Sequence, residues 1–245
     1  MKVYFINLDR SKDRRKHIES NLRKLGVDAE RVSAIDGKTL TKEYISEVYD
    51  EQKCLKKHRK KLIPNEIGCA LSHLKIYKKI VKNNLDGAII LEDDVKLDHR
   101  FIHAIKQIEK LELKSSTVIL LNQAHQIFTW SRKLDHNIYK TYKSLCTISY
   151  YINQEGAKDM LSSFNPIDQA IDSWYQLSKD KIVTLYSFYP EMTSGSSFCS
   201  VSDIGEVHPP KKRNWLHRQV RKVRQYLQRK IFYKIPYVFL GLKKL

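Results

Sequence analysis

Residues 87–95, Gly-Ala-Ile-Ile-Leu-Glu92-Asp93-Asp94-Val95, constrain this chain more than any other stretch. An apolar run bounded by glycine and by charge suits a strand buried on both faces of a sheet. Three carboxylates then fall where that strand ends. Ligands of open α/β sheets gather outside the carboxyl ends of strands. Three adjacent acids repel one another there unless a cation or water screens them. A divalent metal carrying a phosphorylated substrate is the reading this position favours over a solvated acidic turn.

The flanking sequence supports an α/β class. Residues 2–8 alternate and are rich in Val, Tyr, Phe and Ile, which predicts a first strand ending at Asn7 and Asp9. Ser11 is placed to cap a helix bearing Ile18, Leu22 and Leu25, which Gly26 stops. A second strand is expected over 28–35, followed by an Asp36-Gly37 turn and a short helix capped by Thr41. The lysine-rich residues 50–63 read as a solvated basic loop. Pro64 opens a long helix to about residue 83, with Ile67, Leu71, Leu74, Tyr77 and Val81 as its apolar stripe. Gly68, Cys69, Ala70 and Ser72 near its start are small enough to let a backbone or ligand come close.

Downstream, a helix is expected over 101–113 and a strand over 117–121. Residues 122–144 read as an aromatic-bearing loop with Trp130, Tyr139 and Tyr142, which either stack on a sugar or base or simply pack. A strand over 145–152 precedes a helix capped by Asn153. Asp168 is expected to cap the next helix, with Asp172 and Trp174 on it, before a strand over 181–188.

The net charge of +18 is attracted to phosphate-rich partners, but it is uneven. Residues 207–245 hold twelve Lys or Arg and no Asp or Glu. This favours a body over 1–208 and a basic appendage over 209–245. Leu216, Val220, Val223, Leu227 and Ile231 recur there at helical spacing among arginines, and an apolar patch follows at 237–242. Such an amphipathic segment suits an anionic membrane surface better than a phosphate-tracking arm. Cys54, Cys69, Cys146 and Cys199 match no zinc spacing and read as buried thiols of a reducing compartment. With no apolar run of spanning length and no signal-peptide pattern, the expected address is cytoplasmic, peripheral on the inner face of the cytoplasmic membrane.

Four blocks together resemble glycosyltransferase family 25, the lipooligosaccharide-type β-galactosyltransferases related to collagen hydroxylysine galactosyltransferases. They are Phe5-Ile-Asn-Leu-Asp-Arg-Ser-Lys-Asp-Arg14-Arg15, Ser33-Ala-Ile-Asp36-Gly37, Asn65-Glu-Ile-Gly68-Cys69-Ala-Leu-Ser72-His73-Leu and Ala88-Ile-Ile-Leu-Glu92-Asp93-Asp94-Val95. Tyr150 to Lys158, Pro166 to Asp172 and Ser202-Asp203 look like its later blocks. The resemblance implies a GT-A-like α/β domain with a mixed, mostly parallel sheet, a UDP-sugar donor, Mn²⁺ or Mg²⁺, inversion at the anomeric carbon and a lipid-linked oligosaccharide acceptor.

Expected roles follow from that chemistry. Asp94 is the first choice for metal ligand, Glu92 binds metal or ribose, and His208 is a third metal candidate. Asp93 points away and serves structure. Asn7, Arg14, Arg15, Asp36, Ser72 and His73 are candidates for the donor site, Arg14 or Arg15 for the diphosphate and Asn7 for the nucleotide. Asp172, with Glu191 second, is the candidate general base. The rival readings are a basic nucleic-acid-binding protein, disfavoured by the mildly charged body, and an inactive relative of the same fold, disfavoured by the intact acidic triplet.

Overall fold

The computed structural model describes residues 1–122, 126–128, 133–144, 146–196 and 242–244. Trp130, Cys199, Ser202, Asp203, His208 and the expected basic helix lie outside the described residues.

The chain begins with β1 (Lys2–Asn7), α1 (Lys12–Lys24) and β2 (Glu30–Ser33). After a 3₁₀ turn at Gly37–Thr39 come α2 (Lys42–Val48), α3 (Glu51–His58) and α4 (Pro64–Lys82). The acidic stretch lies at the end of β3 (Gly87–Glu92), before the short β4 (Val95–Lys96) and α5 (His99–Ile108). Then follow β5 (Thr117–Leu120), β6 (Gln126–Phe128), β7 (Lys133–Asp135), β8 (Ile138–Lys143) and β9 (Ser149–Asn153). The remainder is α6 (Gln154–Ser163), α7 (Trp174–Lys179), β10 (Thr184–Phe188), β11 (Ser194–Gly195) and β12 (Leu242–Lys244).

Ten strands form one sheet in the order β12-β6-β8-β10-β5-β9-β3-β1-β2, with β7 on β8. Seven of these strands run in one direction, and β8, β9 and β12 oppose them. The expected mixed, mostly parallel α/β sheet flanked by helices is therefore present.

β3 is fully buried over Ala88, Ile89, Ile90 and Leu91, and its alternation divides the core in two. Ala88 and Ile90 face the helices α4 and α6, alongside Tyr4, Val118 and Tyr150. Ile89 and Leu91 face α1 and α5, alongside Val3, Phe5 and Ile119. Period-two side chains thus fill both faces, which is why the strand reads as continuously apolar. The sheet also sets the site. β1, β3, β5 and β10 all end at one edge, and β9 starts there, so Asn7, the acidic triplet and Thr147 meet at that edge.

Several expectations need correction. Residues 50–63 are not all loop, although most of their side chains are exposed: Asp50 caps α3 by accepting from Lys53 N, and Cys54 is buried under it. Four of the five lysines pair with acids while staying partly exposed, Lys53 and Lys57 with Asp168, Lys57 also with Asp180, Lys60 with Glu66 and Lys61 with Glu51. Asp168 consequently caps no helix, and Asp172 precedes α7, whose N-cap is Ser173. Within 122–144, β6, β7 and β8 replace the expected loop, and Tyr139 packs edge-on against Tyr189 with ring centroids 6.4 Å apart. The helix expected over 101–113 starts and stops earlier, as α5, because Asp98 caps it by accepting from Arg100 N.

Candidate active site

The pocket at the carboxyl edge of the sheet is built by four segments. The end of β1, the loop after it and the start of α1 supply Asn7, Arg10 and Arg14, the 3₁₀ turn and its N-cap supply Gly37 and Asp36, and α4 supplies Asn65, Cys69, Ser72 and His73. From the end of β3, Glu92 and Asp93 complete the lining of this open cleft, whose volume is about 110 Å³.

α4 is held close to the turn by lack of side chains. A Cβ on Gly68 would lie 2.6 Å from the Ile35 carbonyl oxygen, and one on Gly37 2.2 Å from that of Pro64. Pro64 occupies the first turn, and Glu66 accepts from the Ile63 amide at 2.9 Å, which satisfies a donor the helix leaves open. Ser72 Oγ donates to Gly68 O at 2.7 Å and accepts from Ile35 N at 2.8 Å. Ser72 therefore fastens α4 to the strand end as well as lining the pocket.

Asn7 is buried and its side chain is fully engaged. Nδ2 donates to Asp93 Oδ2 at 2.7 Å and to Ser11 O at 3.1 Å, while Oδ1 accepts from Arg31 Nε at 3.1 Å. It supports the acidic strand end, both Nδ2 hydrogens are used, and a second lone pair on Oδ1 is what its side chain has left to offer a ligand in the pocket. Asp93 also accepts from Arg14 at 3.4 Å. Burial pushes the Asp93 carboxyl up despite both partners. The structural role expected for Asp93 fits these contacts, although the residue also lines the pocket.

Arg14 faces the pocket, whereas Arg15 does not. Arg15 is half exposed and pairs with Glu19 one turn along α1 at 2.7 Å. A helix turn of about 100° per residue separates the two guanidinium groups. Asp36 caps the 3₁₀ turn through Lys38 N and is bridged by Arg10 at 3.0 Å.

Glu92 is bound from two sides. Thr147 Oγ1 donates to its Oε1, and His73 Nε2 lies 3.5 Å from the same oxygen. Burial pushes the Glu92 carboxyl up, but His73, the Thr147 hydroxyl and Arg14 outweigh it, and its pKa sits below the ordinary value. His73 itself is locked: its ring stacks on Tyr150, Nδ1 is 2.7 Å from the Tyr150 hydroxyl, and that hydroxyl is 2.6 Å from Tyr77 Oη. Cys69, one turn before His73, completes a group whose ligand atoms all lie within 4.8 Å of one another.

Asp94 is half-buried in the turn to β4, with its carbonyl accepting from Ser196 N at 2.7 Å. The fields of Glu92, Asp172 and Asp94 all reach the Cys69 and Cys146 thiols, which burial has already pushed up. Asp172 thus joins the acidic cluster although it comes from a distant segment. Burial first and Glu92 second raise its pKa, while the Cys146 amide, donating to it, opposes them. Cys146 reaches that position with φ 82°, a left-handed conformation costly for a residue with a Cβ, and its carbonyl accepts from Trp174 Nε1 at 3.0 Å. Glu191 lies elsewhere, its carbonyl accepting from Arg100 at 3.1 Å, and neither it nor Asp94 nor Asp172 is among the residues that line the pocket.

Sequence reasoning missed Arg10, Asn65, Cys69 and Thr147. Cys69 was legible as the residue four before His73 on the same helical face. Thr147 had no local signal, because it meets Glu92 through the antiparallel pairing of β3 with β9. Among the described residues the ligand atoms that group together are those of Cys69, His73 and Glu92, and the fit to a divalent cation rests on Glu92, a carboxylate at a strand end with no lysine or arginine hydrogen-bonded to it among the interactions described.

The model of glycosyltransferase family 25, described as an LPS biosynthesis protein family, matches residues 1–175. The chain belongs to glycosyltransferase family 25. Among its relatives are procollagen galactosyltransferase 2 of Mus musculus, 26% identical over 189 residues, and a glycosyltransferase 25 family member of Drosophila melanogaster, 28% identical over 194 residues. The two alignments cover 71% and 69% of this chain, but only 30% and 29% of those proteins. This family 25 chain therefore spans less than a third of their length. Among solved structures, a glycosyltransferase involved in glycosylation of the PBCV-1 major capsid is similar at a TM-score of 0.43 and 8% identity, covering 79% of this chain and 92% of that one.

Proposed function

We propose that this chain is an inverting, metal-dependent hexosyltransferase that moves galactose from UDP-galactose to a lipooligosaccharide or lipopolysaccharide acceptor. The observation that carries the proposal is the convergence of Glu92, Asp94 and Asp172 at the sheet edge, beside a pocket with Arg10 and Arg14 on its wall. The galactosyltransferase names of the relatives support the donor sugar, and the family description supports the acceptor class.

Each group has a task that its surroundings suit. Arg14 and Arg10 supply positive charge where a diphosphate would lie. Glu92 and Asp94 are the residues that would hold Mn²⁺ or Mg²⁺, which when bound stabilises charge on the leaving diphosphate. Asp172, raised by burial, takes the proton of the acceptor hydroxyl as that oxygen attacks the face opposite the departing nucleotide. Inversion follows from that single displacement. His73 and Ser72 orient Glu92 and α4 and are positioning residues.

An acceptor anchored in lipid suits a catalyst held at the anionic inner face of the cytoplasmic membrane, and the basic segment over 209–245 would provide that contact. Among the described residues, no helix is long and apolar enough to cross a membrane. The test is a screen of UDP-sugar hydrolysis with and without Mn²⁺. Metal-stimulated release of UDP from UDP-galactose is expected. Thermal stabilisation by an oligonucleotide and not by UDP with Mn²⁺ would instead support the nucleic-acid reading.

A further inference from the structure

We propose that Cys69, His73 and Glu92 form a second kind of cation site, selective for a thiophilic divalent ion of the zinc class, and that this ion competes with the donor-site cation for Glu92. The binding claim stands on geometry alone. Only the competition rests on the transferase reading.

Cys69 and His73 are four residues apart on α4 and project from one helical face toward the end of β3. Their Sγ and ring nitrogen and a Glu92 carboxylate oxygen lie within 4.8 Å of one another. Bonds of about 2.0–2.3 Å to a tetrahedral ion put ligand atoms roughly 3.3–3.8 Å apart. The 3.5 Å separation of His73 Nε2 and Glu92 Oε1 is already in that range, and the sulfur lies within 4.8 Å of both.

His73 supplies the second observation. Its side chain is 1% exposed, and Nε2 has no well-aligned hydrogen bond although it is buried, its nearest acceptor being Glu92 Oε1 at 3.5 Å. A buried polar atom without a partner is costly and calls for an explanation. The Tyr77–Tyr150 hydroxyl pair gives one. Without an ion, Nε2–H faces Glu92 and, against burial, holds that carboxyl below its ordinary value; with an ion bound, Tyr150 donates to Tyr77 and accepts from His73 Nδ1–H, and this tautomer gives the ion the Nε2 lone pair beside Glu92 and Cys69. Hydrogen bonding at the far nitrogen is how proteins orient a metal-binding imidazole. Lone pair and carboxylate then face each other across a gap that a cation fills.

The ligand types decide which cation. Thiolate and imidazole select zinc-class ions, while Mg²⁺ and Mn²⁺ prefer oxygen. Three protein ligands leave a fourth position for water. Binding of this ion displaces the Cys69 proton to solvent and withdraws Glu92 from the donor site.

The experiment titrates the full chain with Co²⁺ and follows the thiolate-to-cobalt charge-transfer band. The expected result is saturation near one equivalent, reversal by Zn²⁺ but not by excess Mg²⁺, and loss of the band in Cys69→Ser. A Cys146→Ser/Cys199→Ser double variant keeps the band, which secures the assignment even if Cys69→Ser folds poorly. No band in the wild-type chain, or a band that survives Cys69→Ser or vanishes in the double variant, overturns the site. In the hydrolysis assay, Zn²⁺ should inhibit the wild-type chain at least about tenfold more strongly than it inhibits Cys69→Ser, each against its own zinc-free rate. Equal inhibition overturns the competition. A chain that hydrolyses no UDP-sugar defeats the transferase reading, while the cobalt spectrum still decides the site.

Discussion

Asn7 and Asp93, 86 residues apart in sequence, are joined by a 2.7 Å hydrogen bond across the ends of the parallel strands β1 and β3. The bond fixes the direction in which the acidic triplet leaves the sheet. Asp93, which lines the pocket together with Glu92, is tied down by Asn7 and Arg14, while Asp94 lies beyond it in the turn to β4.

Asn7→Ala should therefore destabilise the fold by about 1–3 kcal/mol at neutral pH, since a buried carboxylate loses a partner. The sign of its pH dependence follows from the raised pKa of Asp93. A raised carboxyl contributes stability that is present below its unfolded value and lost as pH rises through the folded one. Removing Asn7 raises it further, so the deficit should grow from acid to neutral pH. Denaturant titrations at several pH values check this, and a pH-independent deficit would contradict it.

Gly68→Ala tests the close approach of α4 to the turn. The new methyl would lie 2.6 Å from the Ile35 carbonyl oxygen and 2.8 Å from the Gly37 amide nitrogen, both backbone atoms that yield only if the helix shifts. Overpacking of this kind costs about 1–3 kcal/mol. Because Cys69, Ser72 and His73 move with the helix, UDP affinity measured by calorimetry should fall together with the denaturation midpoint.

Asp94→Ala should abolish Mn²⁺-stimulated transfer while leaving the circular dichroism and thermal midpoint nearly unchanged. Asp94 sits in a turn outside both core clusters, so its loss removes no core packing. An equally active variant would remove Asp94 from the metal site.

Chain removal after Pro210 should release the protein from vesicles containing anionic lipid, read by co-sedimentation at low salt. The truncation takes twelve cationic side chains with it. Each basic residue near such a surface is worth about 1 kcal/mol, so partial retention is not expected.

The sheet was legible because burial on both faces writes itself as apolar runs: β1, β3 and β5 all end within two residues of their sequence-based bounds. Two caps were legible for the same local reason, Thr41 and Asn153 accepting from Tyr44 N and Gly156 N, whereas Ser11 holds the N-cap position of α1 without a side-chain capping bond. Residues 50–63 misled because a lysine-rich exposed run masks the helix beneath it, and the acids that meet Lys53 and Lys57, Asp168 and Asp180, arrive from more than a hundred residues away. In the site, Glu92 and Arg14 were visible as residue types at a strand end and a helix start. Thr147 and Cys146 were not, since each acts through a pairing that only the folded sheet brings about.

Asp172→Asn joins catalysis to stability. The Asp172 carboxyl is raised by burial and then by Glu92, so its ionised form is held at a cost to the fold. Its contribution to stability is present below the unfolded value of 3.8 and is lost as pH rises through the raised folded value. The amide variant carries no such charge. Its thermal midpoint should therefore equal or exceed that of the parent at neutral pH, and the difference should shrink toward acid. Turnover should fall by about 10²–10⁴-fold with little change in the KM for the donor, because only proton removal from the acceptor is lost. The parent's turnover should itself rise with pH through the raised pKa, and that limb should be missing in the variant. A variant that is less stable at neutral pH yet retains the pH limb would show that Asp172 is a structural acid and that another group takes the proton.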